Sequence, residues 1–336
     1  MEEEDRARVW RLYRWFTALM ACGSCVGAVA WAARMMSHVN FFLGDKRPGP
    51  IEQLPLFARA HSWYSAFLVT YAIEFLCLSA AKLMVLDRMS VFAAPRGERM
   101  KKWWAAAGRV VMAAVVLGNA VGLAANAAAA VYYHKAAQAE NAAAAAYAAN
   151  NSKDGDEYQS LRREEVQLGG SISSVQRFCE LSALLFIVIA FVVVGVMAAR
   201  RVSSRLLAVD AGSYAAATGR ALRLKMVGTT AFVFVAFLIR SVLSTMSAVA
   251  FELRNFDDKS QKCPVIESST YCGAFCQNMY THMVGWLNYT PEFQSTIVLV
   301  SSPVALLVAL WGMTSNATLH LMKFGGQDSN APITMA

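Results

Sequence analysis

Residues Ser62–Arg88 read SWYSAFLVTYAIEFLCLSAAKLMVLDR, and the reading of this stretch decides the fold. At about 1.5 Å per helical residue, the roughly 25 predominantly apolar residues from Ser62 to Leu86 are long enough to cross a ~30 Å hydrocarbon core with some tilt. One carboxylate, Glu74, interrupts the run near its middle. A charge at that depth costs about 2.5–3.5 kcal/mol on insertion scales, so it pairs or faces a polar cavity. The partner offered by the sequence is Arg240, in the middle of a later apolar run, TTAFVFVAFLIRSVLSTM.

Composition agrees with this reading. The hydrophobic fraction is 57% and the charged fraction 16% over 336 residues, which places the chain among polytopic membrane proteins. The formal net charge of +8 does not point to nucleic acid, because the basic residues gather at the ends of apolar runs. The partner implied by that pattern is the lipid bilayer.

Working outward, the charged segment MEEEDRARVWRLYR precedes a first apolar run, residues 16–35. Ala28-Val29-Ala30 has the small-residue spacing of a signal-peptide cleavage site, but Glu2, Glu3, Glu4 and Asp5 are foreign to a basic leader. The run is read as a retained span. Residues 37–61 hold Pro48, Pro50 and Pro55 and read as a connecting loop. Beyond the second span (62–86), Arg88, Arg96, Arg99, Lys101 and Lys102 form a basic segment that belongs in the cytoplasm, with Trp103 and Trp104 as interfacial anchors.

The third span, 105–133, ends at Tyr132-Tyr133, and the alanine-rich Ala136–Ala149 is expected to continue it as a helix in solvent. Crossing the membrane there would give a seventh span, against which Lys135 and Glu140 argue. Residues 150–170 are acidic and read as an outer loop, with a glycosylation sequon at Asn150. Further spans are expected at 181–199, 226–251 and 296–319, the last kinked at Pro303. A basic loop follows Arg200-Arg201, and a second sequon stands at Asn288. The expected fold class is thus all-α: a bundle of six transmembrane helices over residues 15–323, between a cytoplasmic N-terminus (1–14) and a disordered cytoplasmic tail (324–336).

Cys179, Cys263, Cys272 and Cys276 would share the outer face and are candidate disulfide partners, which places the protein in the secretory pathway, at the plasma membrane. Cys22-Gly23-Ser24-Cys25 has the spacing of a redox motif but lies inside an apolar run, where the thiols are packing residues. Gly118 and Gly122 form a GxxxG helix-packing motif, within the chain or in a homo-oligomer. Arg200-Arg201-Val202-Ser203 has the form of a basophilic kinase site at Ser203. His61 and His134 read as interfacial residues.

No residues carry the spacing of a catalytic site, a metal site or a cofactor loop, so neither an enzyme nor a cofactor is expected. Two function classes remain. One is transport or conduction of a small solute or ion along a polar path near Glu74 and Arg240, with Asn119, Ser244, Thr245, Ser301 and Ser302. The other is a receptor-like or scaffold protein whose glycosylated, disulfide-bearing outer loops bind a partner.

Overall fold

The structure is a computed structural model that describes residues 2–94, 97–206 and, further on, 224, 227–228, 231–232, 234–242 and 245–246. The described residues hold four long helices, α1 (Glu2–Asp45), α2 (Pro50–Ala93), α3 (Glu98–Ala148) and α4 (Ser152–Leu206), together with a helical stretch at 234–242. All four are long and apolar enough to cross a membrane. At 44, 44, 51 and 55 residues, each is about twice the length a bilayer requires. The expected spans at 16–35, 62–86, 105–133 and 181–199 each lie within one of these helices. The expected spans at 226–251 and 296–319 and the tail fall largely or wholly outside the described residues.

Two expected loops are mostly helix, and turn chemistry explains both. Between α1 and α2 the chain reverses within Lys46–Gly49: Gly49 takes a left-handed φ of 93°, and Pro50 occupies the first helical position, where its missing N–H is no loss. Pro55 is carried inside the second turn of α2. Between α3 and α4 the reversal needs only Ala149–Asn151. Asn150 adopts φ 59°, while its N–H donates to Tyr147 O and that of Asn151 to Ala146 O, the paired bonds of a Schellman motif. Asn151 then caps α4: its Nδ2 donates to Asp154 Oδ2 (2.6 Å) and its Oδ1 accepts from the Asp154 N–H. Asp154, expected in a loop, thus stands in the first turn of α4, where the helix dipole favours it. Tyr147 donates to Asp156 (2.6 Å), and that bond to a carboxylate raises the phenol's pKa.

The described residues fall into two compact units. The first takes in residues up to Ala80, Ala114–Leu184 and those from Ser241 on; the second takes in Ala81–Ala113 and Leu185–Arg240. In the first unit successive helices run antiparallel. Against α2, α1 brings Phe41 to Phe57 (ring centroids 5.9 Å apart), Trp31 to Phe67 (6.2 Å) and Cys22 to Cys77 (Sγ–Sγ 4.0 Å). Ser65 Oγ of α2 donates to Ala130 O of α3 (2.7 Å), and Tyr71 of α2 donates to Glu180 of α4 (2.8 Å). In the second unit, Phe191 and Phe237 meet edge to face, and Trp104 Nε1 donates to Ser90 O (3.1 Å).

The surface is inverted relative to a soluble bundle. On α3, Val110, Val116, Leu117 and Val121 are exposed, and on α4 so are Leu185, Phe186, Ile189 and Val193, while Asn119, Asn126, Gln176 and Glu180 are buried. Apolar side chains outside and polar ones inside suit a helix bundle solvated by lipid.

Candidate functional site: a buried polar column

The buried face of α3 repeats every seven residues. Asn119, Asn126, Tyr133 and Glu140 stand at this spacing, and all four are buried. Seven residues are nearly two helical turns, so the four side chains line up along one seam. From first to last the column runs about 31 Å, the thickness of a hydrocarbon core. Small residues between its rungs (Gly122, Ala129 and Ala136) and just past the last (Ala143) let the neighbouring helices approach.

Each rung meets a different partner. Asn119 Nδ2 donates to its own helix at Val115 O (2.7 Å). Asn126 Nδ2 donates across to Leu68 O of α2 (3.0 Å). Neither asparagine's Oδ1 has a hydrogen-bond partner among the described residues. Tyr133 stacks on His61 (centroids 5.9 Å) and meets Tyr64 edge to face (4.6 Å). Tyr64 in turn lies under the Arg34 guanidinium of α1, 4.8 Å from its ring.

The last rung is a charge cluster. Glu140 is fully buried; its Oε2 is 2.8 Å from His61 Nδ1, and its Oε1 is 3.4 Å from the Arg162 guanidinium. The three residues come from α3, α2 and α4. His61 is 4% exposed, so the residue expected at an interface is a core residue. The ring is held between Tyr133 and Phe41, the latter edge-on at 5.1 Å.

Of the residues expected from the sequence, Glu74 is in the first unit, 5% exposed and packed on Gly27 of α1, where an added Cβ would come within 2.8 Å of the carboxylate carbon. Arg240 is in the second unit and 3% exposed. Gly122 faces Gln176 and Cys179 of α4, and Gly118 approaches the Cys179 carbonyl. Thr245 Oγ1 donates to Ser241 O, four residues earlier (2.8 Å). Among the described residues Cys22, Cys25, Cys77 and Cys179 are free thiols. Asn150 is exposed in the α3–α4 turn, and Ser203 lies in the last turns of α4. Ser244, Cys263, Cys272, Cys276, Asn288, Ser301 and Ser302 lie outside the described residues.

Three features escaped the reading from sequence. The seven-residue repeat was visible but spread over two predicted environments, with Asn119 and Asn126 in the membrane and Glu140 in solvent. Gly23 and Gly27 form a second small-residue motif that overlaps Cys22 and Cys25 in sequence; Gly23 packs on Cys77 and Leu78, and Gly27 on Glu74. Lys82, two turns beyond Glu74, is 1% exposed with its ammonium 4.8 Å from the Phe237 ring centre in the second unit.

Among the described residues, then, the chain has four apolar helices compatible with an integral membrane protein in contact with lipid. Compared with family models, with curated proteins and with solved structures, the chain matches none.

Proposed function

We propose that this protein moves a small polar or ionic solute across a membrane, and that the polar face of α3 lines the route. The observation that carries the reading is the column itself: Asn119, Asn126, Tyr133 and Glu140 are buried inside a bundle whose outer surface is apolar. Packing alone does not account for it, since apolar residues of similar volume avoid the desolvation of amides and charges. Intramembrane ionisable groups facing a bundle interior commonly belong to ion or solute pathways. The open Oδ1 acceptors of Asn119 and Asn126 are suited to holding water or passing a solute. Glu74 extends the polar interior within the same unit, whereas Arg240 enters the proposal from its depth in the sequence alone.

Six spans with both termini in the cytoplasm remain the topology we propose, on the strength of the basic segments after the second and fourth spans. The plasma membrane, as the locale, rests on the sequons and outer cysteines.

The test is a flux panel. The full-length protein is reconstituted in liposomes, and entry of small neutral solutes, monovalent ions and protons is followed by light scattering and fluorescent indicators. At least one solute should enter faster than in protein-free vesicles, and Asn126→Leu should slow it. If nothing in the panel moves, the receptor-like or scaffold reading takes its place.

A further inference from the structure

We propose that the ion handled by this column is the proton, and that it binds at Nε2 of His61. The inference rests on the transport reading above and names the substrate of the same site.

The argument begins with Glu140. A carboxylate with no exposure needs partners for both oxygens, and it has them: His61 Nδ1 on one and Arg162 on the other. Arg162 is always cationic and sits against Oε1. The His61 Nδ1–H is committed to that carboxylate, which fixes the tautomer. The second ring nitrogen, Nε2, makes no hydrogen bond among the described residues. A basic lone pair is thus held on a ring that is 6% exposed and lies 2.8 Å from a fully buried carboxyl group.

The surroundings select the ligand. A metal ion would meet the Arg162 guanidinium, and no group of three or more acidic, histidine or cysteine side chains suited to a metal occurs among the described residues. An anion would meet the Glu140 carboxylate. A proton needs no coordination sphere: it adds to the Nε2 lone pair, turning neutral imidazole into imidazolium, and no other bond is made or broken. It arrives from hydronium and leaves to water, so no further reactant is consumed.

With Glu140 ionised and Arg162 charged, the cluster is neutral when His61 is neutral and carries one positive charge when it is protonated. The other groups on the packed elements are Arg34 and His38 on α1, Tyr64 on α2, Tyr133 on α3, and Glu165 and the part-buried Arg177 on α4, the last within electrostatic reach of Arg34, Tyr64 and Tyr133. Glu165 is the one further carboxylate among them. Its Oε2 is buried with no hydrogen-bond partner among the described residues, one turn from Arg162.

The experiment is histidine-selective NMR on the full-length protein in lipid nanodiscs, titrated from about pH 8 to about pH 5, the range in which imidazoles change charge. The chain has 5 histidines, so His61 is assigned by the signal missing in His61→Gln or, if that variant does not fold, by removing the other histidines one at a time. The proposal expects the His61 ring signals to move reversibly on acidification, with the Nδ1–H retained throughout. Glu140→Gln, which replaces the acceptor of the Nδ1–H bond, should change that titration. Signals that stay fixed while the protein remains folded overturn the proposal, and so does an unchanged titration in Glu140→Gln. The flux panel separates the two readings. Solute entry with a static His61 removes only the proton site; a titrating His61 in a protein that moves nothing removes the transport reading.

Discussion

Glu140→Gln is the substitution whose effect the geometry specifies most closely. The carboxylate accepts from His61 at 2.8 Å and from Arg162 at 3.4 Å. A carboxamide keeps the volume but has a single acceptor oxygen. Two donors converge on the site, so the new NH2 must oppose one of them. Arg162 is 27% exposed and can turn its guanidinium toward water, so the oxygen stays on His61 and the NH2 takes the Arg162 side. The His61 bond then falls from charge-assisted to neutral, a loss of about 1 kcal/mol if charged pairs are worth roughly twice neutral ones. The Arg162 contact is long and partly solvated, so its loss adds about 0–1 kcal/mol. The sum is about 1–2 kcal/mol. Glu140→Ala also leaves the buried Nδ1–H without an acceptor, and should cost about 3–5 kcal/mol. Arg162→Gln, which leaves one oxygen of the buried carboxylate without its charged partner, should cost about 1–3 kcal/mol. Reversible unfolding in mixed micelles, followed by helicity, orders the three. An Arg162→Gln effect larger than that of Glu140→Ala, or a Glu140→Ala variant as stable as the parent, would refute the account of the cluster.

Three further expectations can be measured separately. Gly27→Ala should destabilise the same unfolding reaction by about 1–3 kcal/mol, because its Cβ meets the Glu74 carboxyl group, whereas Gly108→Ala, with open space at that position, should be neutral or slightly stabilising. Asn151→Ala removes both side-chain contacts with Asp154 and should cost about 1 kcal/mol, read as faster amide exchange confined to the first turn of α4. In a eukaryotic host with the turn facing the lumen, Asn150 should carry an N-linked glycan: a gel shift lost on glycosidase treatment and in Asn150→Gln. An unchanged band would place that turn in the cytoplasm.

How much of this was legible in the sequence follows from the physics of each element. The first four spans were visible because soluble folds seldom contain an apolar run of membrane length. The helix ends were not, because Ser152–Gly170 is as polar as a loop, and only the Asn150-Asn151 cap chemistry and the helix-forming Glu, Arg and Gln mark it as helix. Glu74 announced itself as a lone charge in an apolar run, and in the structure it is buried. Glu140 did not, since an acidic residue among alanines reads as solvent-exposed helix. Its place in the core follows from the seven-residue register it shares with Asn119, Asn126 and Tyr133. His61 was the least legible: its environment is made by Phe41, Tyr133, Glu140 and Arg162, which tertiary structure alone brings together.

The measurement that tests the central claim most directly is water access at position 126. A lone cysteine is placed there in a background without native cysteines, in the full-length protein in sealed vesicles, and exposed to a small membrane-impermeant thiol reagent. A second cysteine at Leu117, on the exposed apolar face of α3, serves as the lipid-facing control. The account predicts labelling at 126 and protection at 117. Protection at both positions in a folded protein would mean that the polar column is dry, and that it holds the helices together without conducting anything.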